Sequence, residues 1–333
     1  IDTGDGGAAV TAAGSAMITG DAGDDTLSAG GFSTLDGGAG NDNITGAGHD
    51  HIFGGAGDNT IVDTDGANVI TAGAGNDSIT LSGAGGDNVN AGDGVNTISD
   101  TGAAGDTIAG GVGIDTITTA GGNDSITSGA GNDVIDSGGG TDILNGGAGD
   151  DNITFAGQGG VQGGDGDDTI AGTGNVASIV DGGTGNDQIT MGTQADTITG
   201  GAGDDTITGG GGHDLLSGGS GADTFVFASG SSPVAGGADG GAVINDWTSA
   251  DHLDFTVTSA GDTFHTGTEA TFADAQIEAN TLLTATPAEH VAAIQVGSDV
   301  VVFVDTNADQ VADDAMILTA GALADMLSRT RII

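Results

Sequence analysis

Residues 200–208 read GGAGDDTIT, and the same nine-residue repeat recurs as GGAGDDNIT at residues 146–154 and as GGAGNDNIT at residues 37–45. The shared pattern is G-G-x-G-x-D-x-U-x, where U is a bulky aliphatic residue, and copies run from about residue 20 to residue 226. A unit this short cannot be a domain, because it buries its apolar residue only by stacking on neighbouring copies. The repeat therefore predicts a solenoid.

The eighth position of each repeat, U, is a bulky residue, and most successive U residues are nine residues apart. Side chains alternate along a strand, so in x-U-x the flanking residues point outward and U points inward. Each repeat then forms a short strand and a turn, and two repeats form one coil. We predict an all-β fold, a right-handed parallel β-roll whose core is a thin layer of U residues between two sheets. The U residues are Ile18, Leu27, Leu35, Ile44, Ile52, Ile61, Ile70, Ile79, Val89, Ile98, Ile108, Ile117, Ile126, Ile135, Leu144, Ile153, Val161, Ile170, Ile179, Ile189, Ile198, Ile207, Leu216 and Phe225.

The Gly/Asp half of the repeat predicts a calcium-binding turn. Glycine adopts positive φ angles and allows close backbone approach, and it leaves backbone carbonyls facing a metal. Aspartate at the sixth position supplies the hard carboxylate oxygen that calcium prefers. We expect the carbonyls of Gly37, Gly146, Gly163 and Gly200 to act with the sixth-position side chains.

Alternate repeats lie on opposite edges of the predicted solenoid, and the two edges differ in sequence. The sixth positions of the first edge are Asp25, Asp42, Asn59, Asp77, Asn96, Asp115, Asp133, Asp151, Asp168, Asp187, Asp205 and Asp223. Those of the second edge are Asp50, Asn68, Asp87, Asp106, Asp124, Asp142, Asp196 and Asp214, with failures at Ser33, Gly159 and Ala177. We therefore expect a near-continuous row of calcium sites on the first edge. The second edge should carry a broken row, with gaps near residues 29–36 and 157–180.

The composition also points to a cation. The chain has 333 residues, 48 acids and only Arg329 and Arg331 as basic residues, which gives a formal charge of −46. This charge opposes a compact state unless divalent ions, roughly 20 of them at one per well-formed turn pair, offset it. It also disfavours nucleic acid and anionic membranes as partners. Apolar runs are shorter than the roughly 20 residues of a membrane span.

The absence of Cys fits an extracellular protein that is stiffened by metal rather than by disulfides. Residue 1 is Ile, and no signal peptide is visible at the start of the chain, so we expect a processed product or a fragment.

The repeat pattern ends near residue 227, and the chain divides there. We expect the β-roll over residues 1–227, a Gly/Ser/Pro linker over 228–242 and a small, mainly-β C-terminal cap over 243–333. In the cap, residues 243–247 and 251–255 are typical of short strands, residues 290–296 and 300–304 of a hairpin, and residues 315–318 of another strand. Residues 272–283 and 323–327 are typical of helices.

Three further patterns admit two interpretations each. His49 and His51 flank Asp50, which indicates either a transition-metal site or a variant calcium turn with exposed histidines. Residues 305–314 place oxygen ligands with the spacing of an EF-hand loop, but Gln310 replaces the turn glycine and Met316 the bidentate glutamate. That segment is either a calcium site or a solvated acidic turn. Its candidate ligands are Asp305, Asn307, Asp309 and Asp313.

Threonines after U form the third pattern, which fits an ice-binding face or simply an exposed strand. They are Thr45, Thr71, Thr80, Thr118, Thr127, Thr154, Thr190, Thr199 and Thr208.

On these residues the chain resembles the RTX (repeats-in-toxin) proteins exported by type I secretion. Residues 218–227, GGSGADTFVF, and residues 244–247, INDW, resemble the last repeat and the strand after it in that family. The resemblance implies a parallel β-roll with calcium between the turns of neighbouring coils, held by the sixth-position Asp and loop carbonyls. It also implies an uncleaved export signal in the C-terminal segment and a chain that folds only outside the cell, where calcium is plentiful.

The Ala/Thr/Gly-rich composition without Lys most resembles the C-terminal part of an RTX surface-layer protein. We therefore expect a secreted, non-enzymatic, calcium-dependent structural protein at the cell surface. It would self-assemble into a surface layer or filament, and a part upstream of residue 1 would anchor it to a surface glycan. The alternatives are the stalk and export module of an adhesin, or the export domain of an RTX enzyme or toxin. Catalysis lacks support, because the chain has no Cys, no G-x-S-x-G and no zinc-protease helix motif.

Overall fold

A computed structural model describes residues 1–2, 4, 6–228, 242–246, 250–256, 264–269, 291–296, 299–304, 314–318 and 331–332. The chain forms two compact units, Ile1–Thr169 and Ile170–Ile333. The described residues form strands and turns without a helix, which confirms the predicted all-β parallel solenoid.

In the first unit, each coil contributes one strand to each of two parallel sheets. The odd sheet contains β1 (Ala9–Ala12), β3 (Thr26–Gly30), β5 (Asn43–Ala47), β7 (Thr60–Asp63), β9 (Ser78–Leu81), β11 (Thr97–Asp100), β13 (Thr116–Thr118), β15 (Val134–Asp136) and β17 (Asn152–Phe155), paired in that order. The even sheet contains β2 (Met17–Thr19), β4 (Thr34–Ala39), β6 (His51–Ala56), β8 (Val69–Ala74), β10 (Asn88–Asp93), β12 (Thr107–Val112), β14 (Ser125–Ala130), β16 (Thr141–Ala148) and β18 (Gln158–Asp165).

The register of these sheets places U beside U. Ile44 pairs with Ile61 in the odd sheet, and Ile126 pairs with Leu144 in the even sheet. The paired U side chains are at most 1% exposed at these positions. Burial of each such residue contributes about 1.5–3 kcal/mol, so the eighth position sets the register of the whole stack.

The second unit repeats this arrangement. β19 (Thr169–Gly172) lies where the chain passes from one unit to the other. The odd strands that follow are β21 (Gln188–Thr190), β23 (Thr206–Thr208), β25 (Thr224–Ala228), β27 (His252–Thr256) and β32 (Arg331–Ile332), all parallel. The even strands are β20 (Ile179–Thr184), β22 (Thr197–Ala202), β24 (Leu215–Ser220) and β26 (Val243–Ile244), also parallel.

One predicted core residue is wrong. Ile179 was expected to point inward, but it is 66% exposed, and its neighbour Val180 is 1% exposed and pairs with Ile198. The turn that precedes β20 is one residue longer than nine-residue spacing assumes. Because side chains alternate along a strand, that single residue exchanges the inward and outward positions.

The C-terminal strands extend the even sheet. β26 is parallel to β31 (Asp314–Leu318), which runs antiparallel to β30 (Asp299–Val304). β30 in turn forms an antiparallel hairpin with β29 (Val291–Val296), and β29 is parallel to β28 (Phe264–Glu269). The predicted hairpin and the strand at 315–318 are thereby confirmed. Linker residues 229–241 and the predicted helices at 272–283 and 323–327 lie outside the described residues.

The part of the chain that the structure describes contains no helix long and apolar enough to cross a membrane.

Candidate metal sites

Two residues with positive φ shape each first-edge turn, and both are glycines except in the first turn, where Asp21 has φ 67°. In the repeat at 37–45, Gly38 has φ 95° and Gly40 has φ 137°, a region that other residues rarely adopt. A Cβ on Gly40 would also collide with the backbone of Gly23 in the preceding coil. The turns therefore stack backbone on backbone, and the Gly40 N–H donates to the carbonyl of Ala56 in the next coil at 2.8 Å.

The sixth-position side chains form a hydrogen-bonded ladder along the first edge. Oδ1 of each one accepts from the N–H of the sixth-position residue one coil earlier, as Asp42 Oδ1 does from Asp25 N–H at 2.8 Å. The other donor and acceptor pairs are Ala8 and Asp25, Asp42 and Asn59, Asn59 and Asp77, Asp77 and Asn96, Asn96 and Asp115, Asp115 and Asp133, Asp133 and Asp151, Asp151 and Asp168, Asp187 and Asp205, and Asp205 and Asp223. The ladder holds each carboxylate in one orientation.

The second oxygen of these carboxylates is buried without a hydrogen-bond donor. This holds for Oδ2 of Asp25, Asp42, Asp77, Asp115, Asp133, Asp151 and Asp205. A buried, unpaired carboxylate oxygen is costly, and the cost falls when a cation lies beside it. The first edge is therefore a row of buried anionic oxygens that a cation would stabilise.

The position-one glycines let oxygen atoms of two coils converge. A Cβ on Gly146 would meet Oδ2 of Asp151 and lie 2.6 Å from the carbonyl oxygen of Gly163 in the next coil. A Cβ on Gly200 would likewise meet Asp205 Oδ2 and lie 2.7 Å from the carbonyl oxygen of Gly218. Glycine at position one therefore leaves room for a carboxylate oxygen and a carbonyl oxygen of the next coil to converge, and hard oxygens of this kind are the ligands that calcium prefers.

The predicted carbonyl ligands divide into two groups. The carbonyls of Gly37, Gly163 and Gly200 each converge with a sixth-position Oδ2, of Asp25, Asp151 and Asp187 respectively. The carbonyl of Gly146 instead accepts a hydrogen bond from the Ser128 hydroxyl at 2.6 Å. Among the described residues no three acidic or histidine side chains cluster as metal ligands. Calcium would therefore be held by single carboxylates together with backbone carbonyls.

Burial shifts the ionisation of these carboxylates. Desolvation, the largest effect, raises the pKa of Asp151 to about 6 and that of Asp205 to about 7, while the ladder N–H opposes the rise and neighbouring carboxylates add to it. The same causes raise the pKa of Asp42, and desolvation likewise dominates the raised pKa values of Asp77 and Asp115. Without a cation, the first edge thus resists full ionisation near neutral pH.

A second ladder runs along the first edge at the fifth position, which the repeat pattern leaves variable. Here the N–H of each residue donates to the side chain one coil earlier, as Asn41 N–H does to Asp24 Oδ1 at 2.8 Å. The other pairs are Asp58 and Asn41, Asn76 and Asp58, Val95 and Asn76, Asp150 and Asn132, Asp167 and Asp150, Asp204 and Asn186, and Ala222 and Asp204. The sequence signal for this ladder is the recurrence of Asp and Asn at the residue before the sixth position.

Comparison with protein-family models identifies these turns. The model of the RTX calcium-binding nonapeptide repeat, which spans four copies, matches residues 12–33, 19–48, 30–61, 44–79, 100–135, 119–153, 161–175 and 191–225. Together these matches cover more than half of the chain.

The chain belongs to the RTX repeat family. Its nonapeptide repeats bind calcium, and RTX repeat proteins are generally secreted. The β-roll repeat is a structural, calcium-binding fold that is not catalytic by itself. Comparison with curated proteins finds no matching sequence.

The second edge of this RTX roll carries the same sixth-position ladder but treats the second oxygen differently. The donor and acceptor pairs are Ser33 and Asp50, Asp50 and Asn68, Asn68 and Asp87, Asp87 and Asp106, Asp106 and Asp124, Asp124 and Asp142, Ser178 and Asp196, and Asp196 and Asp214. Asp50 Oδ2 accepts from Ala47 N–H at 3.0 Å, and Asp142 Oδ2 accepts from the Ser137 hydroxyl at 2.8 Å. At these two positions protein donors occupy the oxygen that a metal would use.

The expected gaps of the second edge have different structural causes. At Ser33 the hydroxyl replaces the carboxylate and accepts from Ala16 N–H at 3.2 Å. A Cβ on Gly159, at the place of a sixth-position side chain, would lie 2.9 Å from the ring of Phe155, which is 1% exposed. At the third gap the sixth-position residue is Ser178 and not the expected Ala177, because the added turn residue that moves the core position from Ile179 to Val180 also shifts this position by one. In the turn at Gly159, which lacks a sixth-position carboxylate, the buried ring of Phe155 occupies the space.

Two buried acids, Asp63 and Asp100, are not predicted by the repeat pattern. They occupy position one of second-edge repeats, where first-edge repeats carry Gly, Ala or Ser, and they are 0% and 4% exposed. Oδ2 of each is buried without a hydrogen-bond donor. The sequence signal for their burial is an acid two residues after U, because side chains at that position point inward.

The C-terminal segment continues the first-edge ladder. Asp223 N–H donates to Oδ1 of Asp251 at 3.2 Å, although 28 residues separate the two. Asp246 accepts from the Ser217 hydroxyl at 2.6 Å and from the N–H groups of Gly218 and Gly219. The triplet Asp251-His252-Leu253 repeats the D-x-U pattern, which was the signal for this role.

The remaining candidates are placed as follows. His49 stacks on Phe32 with ring centroids 5.1 Å apart, and His49, Asp50 and His51 line one open pocket without forming a metal-ligating cluster within the described residues. Asp305, Asn307, Asp309 and Asp313 lie outside the described residues.

Proposed function

We propose that this RTX chain is a secreted structural protein that folds on binding calcium and then self-assembles into a surface layer or extracellular filament. The observation that carries the proposal is the distribution of charge over the folded chain. The acids concentrate in the turns, whereas the sheet faces of the first unit are almost uncharged. A second copy can approach those faces with little repulsion, despite the net charge of −46.

The odd sheet of the first unit illustrates this neutral face. Its outward residues are Thr26, Ser28, Asn43, Thr45, Thr60, Val62, Ser78, Thr80, Thr97, Ser99, Thr116, Thr118, Val134, Asp136, Asn152 and Thr154, in which Asp136 is the single acid. The even sheet of the same unit exposes large apolar side chains, with Met17 70% and Ile143 66% exposed. Exposed apolar residues on a regular surface favour protein–protein contact.

Calcium has two roles in this proposal. Within a copy it neutralises the turns and so supplies folding energy. Between copies it bridges acidic turns that would otherwise repel. The proposed partners are further copies of this chain, the type I secretion machinery and a cell-surface glycan. No catalytic role is proposed.

Sedimentation velocity during a calcium titration tests the proposal. We expect a transition to large species at millimolar calcium that excess chelator reverses and that the same concentration of magnesium does not produce. A compact monomer at every calcium concentration would contradict it. That result would favour the stalk of an adhesin or the export domain of an RTX enzyme or toxin.

A matched pair of variants locates the contact. Ile143→Asp adds an acid to the even-sheet face and should shift assembly to at least about tenfold higher protein concentration. Val95→Asp adds the same acid in a first-edge turn, at the fifth position where Asp58 and Asp150 already occur. Val95 is 54% exposed, and we expect its variant to assemble like the parent chain. Equal effects of the two variants would show that net charge, rather than the sheet face, controls assembly.

A further inference from the structure

The interior of the second edge between residues 63 and 124 carries more acid than the nonapeptide pattern requires. Asp63 and Asp100 point inward from the ends of β7 and β11 and are buried. In the repeat between them, position one is Leu81, which is 0% exposed. In the repeats that follow, position one is Thr119 and Ser137, which are neutral. Two of these turns thus hold an additional carboxylate.

The first additional carboxylate belongs to Asp63. Its Oδ1 accepts from Asp65 N–H at 3.1 Å, while Oδ2 is buried without a donor and lies 3.2 Å from the place of a Cβ on Gly83. The side chain faces Asp87 in the next coil and Asn68 in its own. Burial, followed by the charge of Asp87, raises the pKa of Asp63 to about 7. Two carboxylates therefore meet in one enclosed space, where the Asn68 amide NH2 donates to Asp87 Oδ1 at 3.3 Å.

The second additional carboxylate belongs to Asp100. Its Oδ1 accepts from Gly102 N–H at 2.7 Å, and Oδ2 is again buried without a donor. It faces Asp106 of the same turn and Asp124 of the next coil, whose own Oδ2 is also unpaired. Burial raises the pKa of Asp106 to about 7, and the charges of Asp100, Asp87 and Asp124 add to the rise. Like charges this close are stable together only if protonated or bridged by a cation.

We propose that Asp63 with Asp87, and Asp100 with Asp106, form two calcium sites that each hold two carboxylates and bind calcium more tightly than the single-carboxylate turns of the first edge. Calcium affinity rises with the number of charged ligands. Backbone carbonyls complete the ligand set, in keeping with the lack of a cluster of three acidic side chains among the described residues. The inference concerns calcium binding within one copy and is independent of self-assembly.

Isothermal titration calorimetry with calcium on the dilute full chain, paired with far-UV circular dichroism, tests this inference. We expect the parent chain to bind two ions in a tight phase that precedes the remaining ions. Asp63→Asn and Asp100→Asn should each weaken one tight ion by roughly tenfold or more, and the double variant should lose the tight phase. Asp136→Asn removes an exposed acid from β15 and should leave both tight ions in place.

Folding is checked separately, because asparagine nearly preserves the shape of aspartate. In millimolar calcium, each variant should reach the same strand signal as the parent chain, so a weakened tight phase cannot be attributed to loss of the fold. A tight phase that survives the double variant, or that Asp136→Asn weakens equally, would overturn the inference. Asp63 and Asp100 would then be carboxyl groups that share protons with their neighbours and hold no ion.

Discussion

The two edges of the roll share one ladder and differ in the fate of the second carboxylate oxygen. On the first edge that oxygen is buried and unpaired at Asp42, Asp115 and Asp133. On the second edge it receives protein donors at Asp50 and Asp142 and is unpaired at Asp124. The first edge therefore needs a cation at nearly every coil. The second edge is in part satisfied by protein and in part, at Phe155, closed by an aromatic ring. One repeat thus supports both metal-dependent and metal-independent turns.

Removal of calcium is the strongest way to test this difference. We expect chelator at pH 8 to unfold the described β-roll almost completely, because the unpaired first-edge carboxylates repel one another without an ion. Far-UV circular dichroism should show loss of strand signal in chelator and its recovery in millimolar calcium. An unchanged spectrum in excess chelator would mean that protein contacts alone stabilise both edges.

Filling the glycine space of one first-edge turn should have the next largest effect. In Gly146→Ala the new methyl group meets Asp151 Oδ2 and lies 2.6 Å from the Gly163 carbonyl oxygen, which should destabilise the calcium form by about 1–3 kcal/mol. Gly139→Ala is the matched second-edge control, since no heavy atom lies within 4 Å of its Cβ. Thermal unfolding in calcium measures both. A control as damaging as Gly146→Ala would show that the loss does not arise where Asp151 Oδ2 and the Gly163 carbonyl converge.

Changing the charge of one ladder residue sharpens the comparison further. Asp133→Asn keeps an acceptor for Asp115 N–H, as Asn59 and Asn96 do naturally, but loses the charge, so the calcium midpoint of folding should rise. Asp142→Asn should raise it less, because Ser137 already donates to Asp142 Oδ2. Asp133→Ala also orphans a buried N–H, at an added cost of about 1–3 kcal/mol. Calcium titrations followed by circular dichroism would show equal midpoint shifts for the two asparagine variants if the edges were equivalent.

The smallest expected effect is the pH dependence without calcium. The folded pKa values of Asp151 and Asp205, about 6 and about 7, exceed the unfolded value, so the folded chain binds more protons than the unfolded chain between about pH 4 and 7. Stability of the calcium-free chain should be highest below about pH 4 and should fall as pH rises to about 7. With calcium the trend reverses, because binding releases those protons. Urea unfolding at pH 5 and pH 8, in chelator and in calcium, measures both signs.

The parallel roll, its U core and the sixth-position ladder could all be predicted from the sequence, because each rests on a strict period. The inward position at Val180 could not, since one added turn residue reverses the alternation of side chains. Asp63, Asp100 and the fifth-position ladder also escaped prediction. Their roles depend on which side chains meet between coils, and repeat spacing within a single copy does not reveal this. Asp251 lies beyond a long interruption of the period, so its place on the ladder required the fold.

The sixth-position ladder runs in one direction along the chain. Each sixth-position N–H donates to a side chain that lies further along the chain, from Ala8 to Asp25 at one end and from Asp223 to Asp251 at the other. The sixth-position N–H of each coil is therefore satisfied only by the coil that follows it in the chain. The last repeat depends in the same way on Asp251, which belongs to no repeat. The segment after the repeats therefore supplies the last acceptor and ends the ladder.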